Sequence, residues 1–478
     1  MKRTLLPAAV LAISFVLSAG FIRLHRNGIT KAVAAKSPPS SPQAVMVRRN
    51  IYSLTAAQIT SLKNGIAAMK ALPYTNPTSW DYQAAIHGTT RPDNLQSWNS
   101  CKHGSPFFLS WHRMYLYYFE RILRAKAGDP TLTLPYWDYQ SNPVLPPAYE
   151  DPTPGNPLYD GTRNSSINSG GSLPNSIMVE FSTILSDATD IPYYTFSSDL
   201  EGPHGSVHTA IGGNMAFINS SALDPCFWLH HANIDRLWDV WLRNCGGRSD
   251  PSDNAYLTQQ YTFFDETGSP VVMTGQQVIN TAASLNYIYD FPFKLPCNFR
   301  IQWPIWKWIR IPCELWPPLP IPIGEKTVVL NTDRTRLETF NSFLTTFREK
   351  EFHFSKSDIS DQLFLEFEDL TVEKLPEGAI EVYVNLPAGQ APSEKSRSFA
   401  GVLNLFNASM KGHHMEAMTG TSINITTVVQ RLGIKPSELS RIKLTFHSRG
   451  IALKGREINT SPSVKIGKLT LVVQKAQL

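Results

Sequence analysis

Twelve histidines occur in this 478-residue chain, and two groups of them are spaced as metal ligands would be. The stretch Glu201–Trp241, EGPHGSVHTAIGGNMAFINSSALDPCFWLHHANIDRLWDVW, holds four. His204 and His208 stand at i and i+4, so on a helix both imidazoles leave one face a turn apart and reach a single ion. His230 or His231 supplies a third nitrogen. Three neutral imidazoles with no thiolate or carboxylate among them suit copper, zinc or iron. A second group lies upstream: His87 in WDYQAAIHGTT, and His103 and His112 in WNSCKHGSPFFLSWHRMYLYYFERIL. A buried imidazole without a partner is costly. Six of them in apolar surroundings need a shared reason, and two adjacent metal ions supply one.

These side chains need helices to aim them. A helix is predicted over Phe107–Ala125, with Phe108, Trp111, Tyr115, Phe119 and Ile122 inward beside His112. Behind His230 and His231, the apolar residues Ile234, Leu237, Trp238 and Trp241 fall at i, i+3, i+4 and i+7. Leu54–Ala71 is amphipathic with Thr55 as cap, and the spacing suggests two helices per metal. Residues from Arg48 to Cys245 read as mostly helical, interrupted by an irregular excursion from Gln140 to Leu173 rich in Pro, Gly, Asn and Ser. From Glu325 the pattern changes to short alternating strands: KTVVLN, LFLEFEDLTV, AIEVYVNLP, RIKLTFHS and VKIGKLTLVV. That pattern predicts a β-sandwich.

The text HGSPFFLSWHRMYLYYFERIL, with PHGSVH, GGNM and DPCFWLHHANIDRLW downstream, resembles the type 3 copper proteins: tyrosinases, catechol oxidases (polyphenol oxidases) and molluscan haemocyanins. The resemblance implies His87, His103 and His112 as ligands of one copper and His204, His208 and His231 as ligands of the other. The second histidine of the HH pair is the ligand in that family, which leaves His230 beside the site. It also implies a multidomain α + β fold: a mainly helical copper domain with a four-helix bundle core, a site bundles commonly build, then a C-terminal β-sandwich like that of plant polyphenol oxidases. Cys101, two residues before His103, matches the Cys-x-His thioether of fungal tyrosinases and molluscan haemocyanins.

The implied cofactor is a pair of copper ions with dioxygen as co-substrate, and the implied reaction is oxidation of o-diphenols to o-quinones. True monophenol hydroxylation is the alternative, and a haemocyanin-like oxygen carrier a further one. Hydroxylation needs a base near the metal. Gly205 and Thr209, each following a second-copper histidine, cannot serve. Glu201 could hold a water, and Phe217 or Ile218 should line the entrance. Asp235 is placed to bind an imidazole or Arg236, with Asn233 and His230 as further neighbours of the ligands.

Net charge is +5 with no dense Lys/Arg run, which argues against a nucleic-acid partner; the expected partner is a small phenol or catechol. Lys2 and Arg3 precede an apolar run from Leu5 to Ile22, the pattern of an export leader (secreted, periplasmic or organelle lumen), with a retained membrane anchor as the alternative. No stable membrane association is expected once the leader is cleaved. The expected division is leader 1–35, linker 36–47, copper domain 48–249, a middle segment and Pro/Trp-rich linker 250–324, and the sandwich 325–478, a candidate shield for the site. Five cysteines are an odd count: Cys226 reads as core, and Cys245, Cys297 and Cys313 could supply one disulfide, with Cys297–Cys313 the expected pair. His413 and His414 read as surface residues.

Overall fold

Thr55 opens the first long helix. Its hydroxyl accepts the Gln58 N–H while the Gln58 amide oxygen accepts the Thr55 N–H, so two otherwise orphaned donors are satisfied at α1 (Ala56–Lys70). Ser79 caps α2 (Trp80–His87) in the same sense. α3 (Phe108–Ala127) ends at Gly128, whose left-handed φ closes the helix. The short α4 (Pro147–Glu150), α5 (Asn175–Ser186), α6 (Tyr193–Ile211) and α7 (Pro225–Arg243) complete the helical part. Gly65 lets α1 lie close on α3: a Cβ there would meet the Leu123 side chain and carbonyl at 2.7 and 2.9 Å. The computed structural model describes residues 44–186, 192–243, 248–290, 306–313, 319–321, 326–329, 362–406, 420–435, 438–439, 442–458 and 462–476. Among these no helix is long and apolar enough to cross a membrane.

Strands frame the helices. β1 (Met46–Arg48) precedes them, and the hairpin β2 (Gln260–Phe264) and β3 (Pro270–Thr274) follows. β4 (Tyr287–Tyr289) returns to pair parallel with β1. β5 (Trp306–Cys313), β6 (Leu319–Ile321), β7 (Lys326–Val329), β8 (Gln362–Glu368), β9 (Thr371–Lys374), β10 (Gly378–Val384), β11 (Phe399–Val402), β12 (Gly420–Asn424), β13 (Lys443–Leu453), β14 (Arg456–Ile458), β15 (Ser463–Ile466) and β16 (Lys468–Ala476) build three sheets. Their orders are β11-β10-β13-β14 with β7 on β13, β12-β8-β16-β5, and β6-β15-β9. The chain is thus mixed helix and sheet, with the long helices before residue 244 and most strands after it.

One expectation is corrected here. The Trp/Pro-rich segment reads from sequence as a linker, because proline at that density disfavours ladders, yet Trp306–Cys313 pairs antiparallel with β16 along its whole length, and Leu319–Ile321 pairs with β15. β5 and β6 lie at sheet edges, where a missing proline N–H need not face a partner strand.

β10 is a wall with two sides. Ile380, Val382 and Val384 belong to the core between the sheets, with Leu363, Leu365, Phe446 and Leu471. Ala379 and Tyr383, on the alternate face, join Phe399, Val402, Phe406 and Ile451 in the larger core that the helices build. Residues Val45–Leu478 form one unit on this account.

A buried ion cluster ties the ends of the helical part. Arg48, fully buried, donates to Glu120 at 2.8 Å, Asp235 at 3.2 Å and the Tyr289 hydroxyl at 3.1 Å, and its guanidinium lies 3.7 Å over the Tyr287 ring. Arg113, Tyr287 and Tyr289 also donate to Asp235. Burial pushes the Asp235 carboxyl up, but Arg113, Arg48 and the two hydroxyls outweigh it and hold it below its ordinary value. Removing one member of such a cluster strands a buried charge and costs about 3–5 kcal/mol.

Candidate metal centre

The seven histidines of the two candidate groups meet between the helices. His87 ends α2, His112 lies in the first turns of α3, His204 and His208 share one face of α6, and His230 and His231 lie in α7. His103 differs: it stands in the loop before α3, so two helices per metal does not hold for the first group. Among the described residues three sets could hold an ion, the ligand atoms of each lying within 4.8 Å of one another: His204, His208, His230 and His231; His87, Cys101 and His103; and His87, His112 and His231.

For His87, His103, His112 and His208 a bond at Nδ1 fixes which nitrogen faces inward. His87 Nδ1 meets the Ile218 carbonyl at 3.0 Å, and His103 Nδ1 meets Glu201 Oε1 at 3.0 Å. Both partners only accept, so each Nδ1 carries the hydrogen and each Nε2 a lone pair. Those two Nε2 atoms face each other at 3.3 Å. Lone pairs at that distance need a cation between them, a shared proton or a metal ion. In the second group His208 Nδ1 donates to the Met215 carbonyl at 2.8 Å, and its Nε2 lies 3.2 Å from His231 Nε2, which is 3.3 Å from His204 Nε2. His112 Nδ1 donates to the Phe108 carbonyl at 2.8 Å, while its ring stacks on His231 at 4.4 Å. His230 stacks on His204 at 5.0 Å. Phe227 packs against both His87 and His231, at 4.8 and 4.2 Å.

Burial, and then neighbouring imidazoles, hold His87, His112, His204, His208 and His231 well below the ordinary histidine value. They are neutral at pH 7, the form that binds metal. Burial lowers His103 too, but hydrogen bonds with Cys101 and Glu201 outweigh it and raise it to about 9. Nitrogen donors without a carboxylate fit copper.

The strand-rich part reaches into this centre. Phe406, fully buried, follows β11 and stacks on His208 at 4.1 Å; His103 and His204 lie edge-on to it at 5.6 and 5.8 Å. Asn404 sets the turn: its Oδ1 accepts the Phe406 N–H at 3.0 Å, and its Nδ2 donates to the Glu201 carbonyl at 3.2 Å. The same carboxamide fills the space a Cβ on Gly205 would need. Sequence reading missed both residues, since VLNLFN carries no motif.

Other site expectations fared unevenly. Glu201, expected to hold a water, has both oxygens on the Gly104 N–H at 2.8 Å and one also on His103. Asp235 touches neither an imidazole nor Arg236: the guanidinium groups of Arg48 and Arg113 draw it into the ion cluster. Arg236 instead pairs with Asp138 at 3.0 Å and donates to Asn233 Oδ1 at 2.9 Å. Thr209 turns its hydroxyl back onto the Gly205 carbonyl. Phe217 is exposed, whereas Ile218 is buried and serves through its carbonyl. Cys101 is buried and unpaired. The Cys297–Cys313 pairing and His413 and His414 lie outside the residues whose side chains are described.

Residues 77–183 and 160–244 match the common central domain of tyrosinase, 250–303 the polyphenol oxidase middle domain, and 325–474 a domain of unknown function. A tyrosinase from Hahella sp. is 34% identical over 300 residues, covering 52% of this chain and 64% of that protein. A chloroplastic (+)-larreatricin hydroxylase from Larrea tridentata is 30% identical over 294 residues, covering 53% and 50%. The chain therefore spans less than two thirds of either relative. The structure of latent apple tyrosinase shares the fold over 91% of this chain and 98% of that one, with TM-score 0.60 at 21% identity.

Proposed function

The chain belongs to the type 3 copper family of tyrosinases and polyphenol oxidases, and on that premise we propose that it oxidises o-diphenols to o-quinones while reducing dioxygen to water. The observation that carries the proposal is the convergence of six imidazoles: five meet in pairs with ring nitrogens 3.2–3.3 Å apart, and His112 offers a nitrogen within 4.8 Å of those of His87 and His231. His87, His103 and His112 would hold one copper, and His204, His208 and His231 the other. His231 is preferred to His230 because its Nε2 faces both partner nitrogens. The copper pair, when bound, supplies the electron exchange: two catechols give four electrons and four protons, and one dioxygen takes them up as two waters. The chain's own task is to keep five of the imidazoles neutral, aim all six, exclude water, and admit a flat ring.

Diphenol oxidation is preferred to monophenol hydroxylation on the same geometry. Glu201 is committed to His103 and Gly104, and Gly205 offers no side chain, so neither presents a base to a phenol. We read α2, α3, α6 and α7 as the four-helix bundle of the copper domain, 48–249, and the three sheets as a β-sandwich that starts at β5 rather than at residue 325. Through Phe406 that sandwich shields the mouth and makes the full chain latent. Oxygen uptake by one copper-loaded, nicked sample on catechol and on tyrosine tests the reading. Fast uptake with catechol and slow or no uptake with tyrosine is expected. No uptake with catechol sinks the proposal, and reversible oxygen binding without quinone points to a carrier.

Cys101 Sγ lies within 4.8 Å of ring nitrogens of His87 and His103. The proposed Cys101–His103 thioether forms with loss of two hydrogens to dioxygen. The intact mass of reduced, denatured protein should then fall short of the sequence value by two hydrogens. Complete alkylation of Cys101 in that sample would rule the bond out.

A further inference from the structure

Five of the six proposed ligands sit on helices, and three of those rings are steered by a backbone carbonyl: His87 by Ile218, His112 by Phe108 and His208 by Met215. His103 has no such help. It stands in the loop that precedes α3, where no helical register fixes the direction of its ring. The group that meets its Nδ1 is a side chain from another element, Glu201 on α6, at 3.0 Å. The same carboxylate takes the backbone N–H of the next residue, Gly104, on both oxygens at 2.8 Å. Gly104 reaches it with φ +55°, a left-handed conformation that costs glycine little and other residues more. Ring and backbone of the loop are therefore gripped by one buried carboxylate, which lies three residues before His204 of the second group.

We propose that Glu201 is a positioning residue for His103. By accepting the Nδ1 hydrogen it fixes the tautomer and the plane of the ring, so that the Nε2 lone pair points at His87 Nε2 and at whatever cation lies between them. This replaces the water-holding role that its place before His204 suggested. The inference rests on the copper reading above, and it makes Glu201 act on one metal of the pair, although in sequence the residue lies among the ligands of the other.

Copper binding by the full chain tests it without any turnover: the protein is loaded with copper(I) and titrated with a copper(I)-selective chelator. Glu201→Ala should weaken one of the two coppers about 10- to 100-fold, the size of effect seen when an orienting partner of a metal-bound histidine is removed, and leave the other unchanged. Glu201→Gln keeps the shape and one acceptor oxygen, so its loss should be smaller; it also keeps the test alive if the alanine variant fails to fold. In a His103→Ala background, Glu201→Ala should add nothing, because the two act as one unit. Wild-type affinity for both coppers in the glutamine and alanine variants overturns the assignment. An equal loss with and without His103 does so too, since it would make Glu201 a general prop for the loop. If the wild-type chain itself fails to hold two coppers, the copper reading falls, and that outcome is distinct from the other two.

Discussion

His208→Ala should abolish catechol oxidation and lower the copper content of the loaded protein from two per chain towards one. The His208 ring is fully buried, its Nδ1 is committed to the Met215 carbonyl, and its Nε2 lies 3.2 Å from His231 Nε2. Alanine leaves two imidazoles for that ion and an apolar gap under Phe406. His231→Ala should be equally severe, because one nitrogen of His231 faces two others. His230→Ala should be much milder, since neither of its ring nitrogens pairs with another imidazole, although one lies within 4.8 Å of the convergent set. Copper analysis beside oxygen uptake decides the matter. Two coppers and normal turnover in His208→Ala would remove the second ligand set, and a harsher effect at 230 than at 231 would exchange the two histidines.

The second large effect is expected at the plug. Burying a phenylalanine stabilises the closed arrangement by about 1.5–3 kcal/mol, and each 1.4 kcal/mol is a factor of ten in population. Phe406→Ala in the full chain should therefore raise catechol turnover about ten- to a hundred-fold. The rise should approach the rate of a sample nicked after Asp290. Gly205→Ala should act in the same direction by a different route, because its Cβ collides with the Asn404 carboxamide and must displace it from the Phe406 N–H and the Glu201 carbonyl. The measurement is the ratio of full-chain to nicked rates at equal copper. A ratio near one in the wild type would leave the strand-rich part as a support and nothing more.

The convergent imidazoles could be read from sequence because helix geometry converts spacing into direction: His204 and His208 needed only i and i+4, and His112 only its aromatic flank. What escaped depends on residues distant in the chain. Phe406 reaches His208 through the docking of β11, a contact no local pattern announces. Asp235 was misplaced for the same reason: its partner Arg48 lies 187 positions away. Glu201 was assigned to the site, but its task depends on a loop whose left-handed glycine is invisible in a string of letters. Proline misled in the opposite way at β5, where the rule against ladders yields to the freedom of an edge. The alternating strands after residue 362 and the capping box of α1 were legible because each is set by neighbours in sequence.

The pairing of β1 with β4 has a mechanical side. The chain enters β1 at its N-terminal end and leaves β4 at its C-terminal end, and the two strands run parallel. A pull on the tail beyond Asp290 against the segment before Val45 therefore loads their rungs in shear, all at once, instead of peeling them one by one. Behind the rungs, Arg48 and the two tyrosine hydroxyls anchor to Asp235 in the middle of α7. The arrangement works as a cable clamp: a pull along the chain beyond Asp290 is stopped at Tyr289, and the helices that aim the imidazoles are spared the tension.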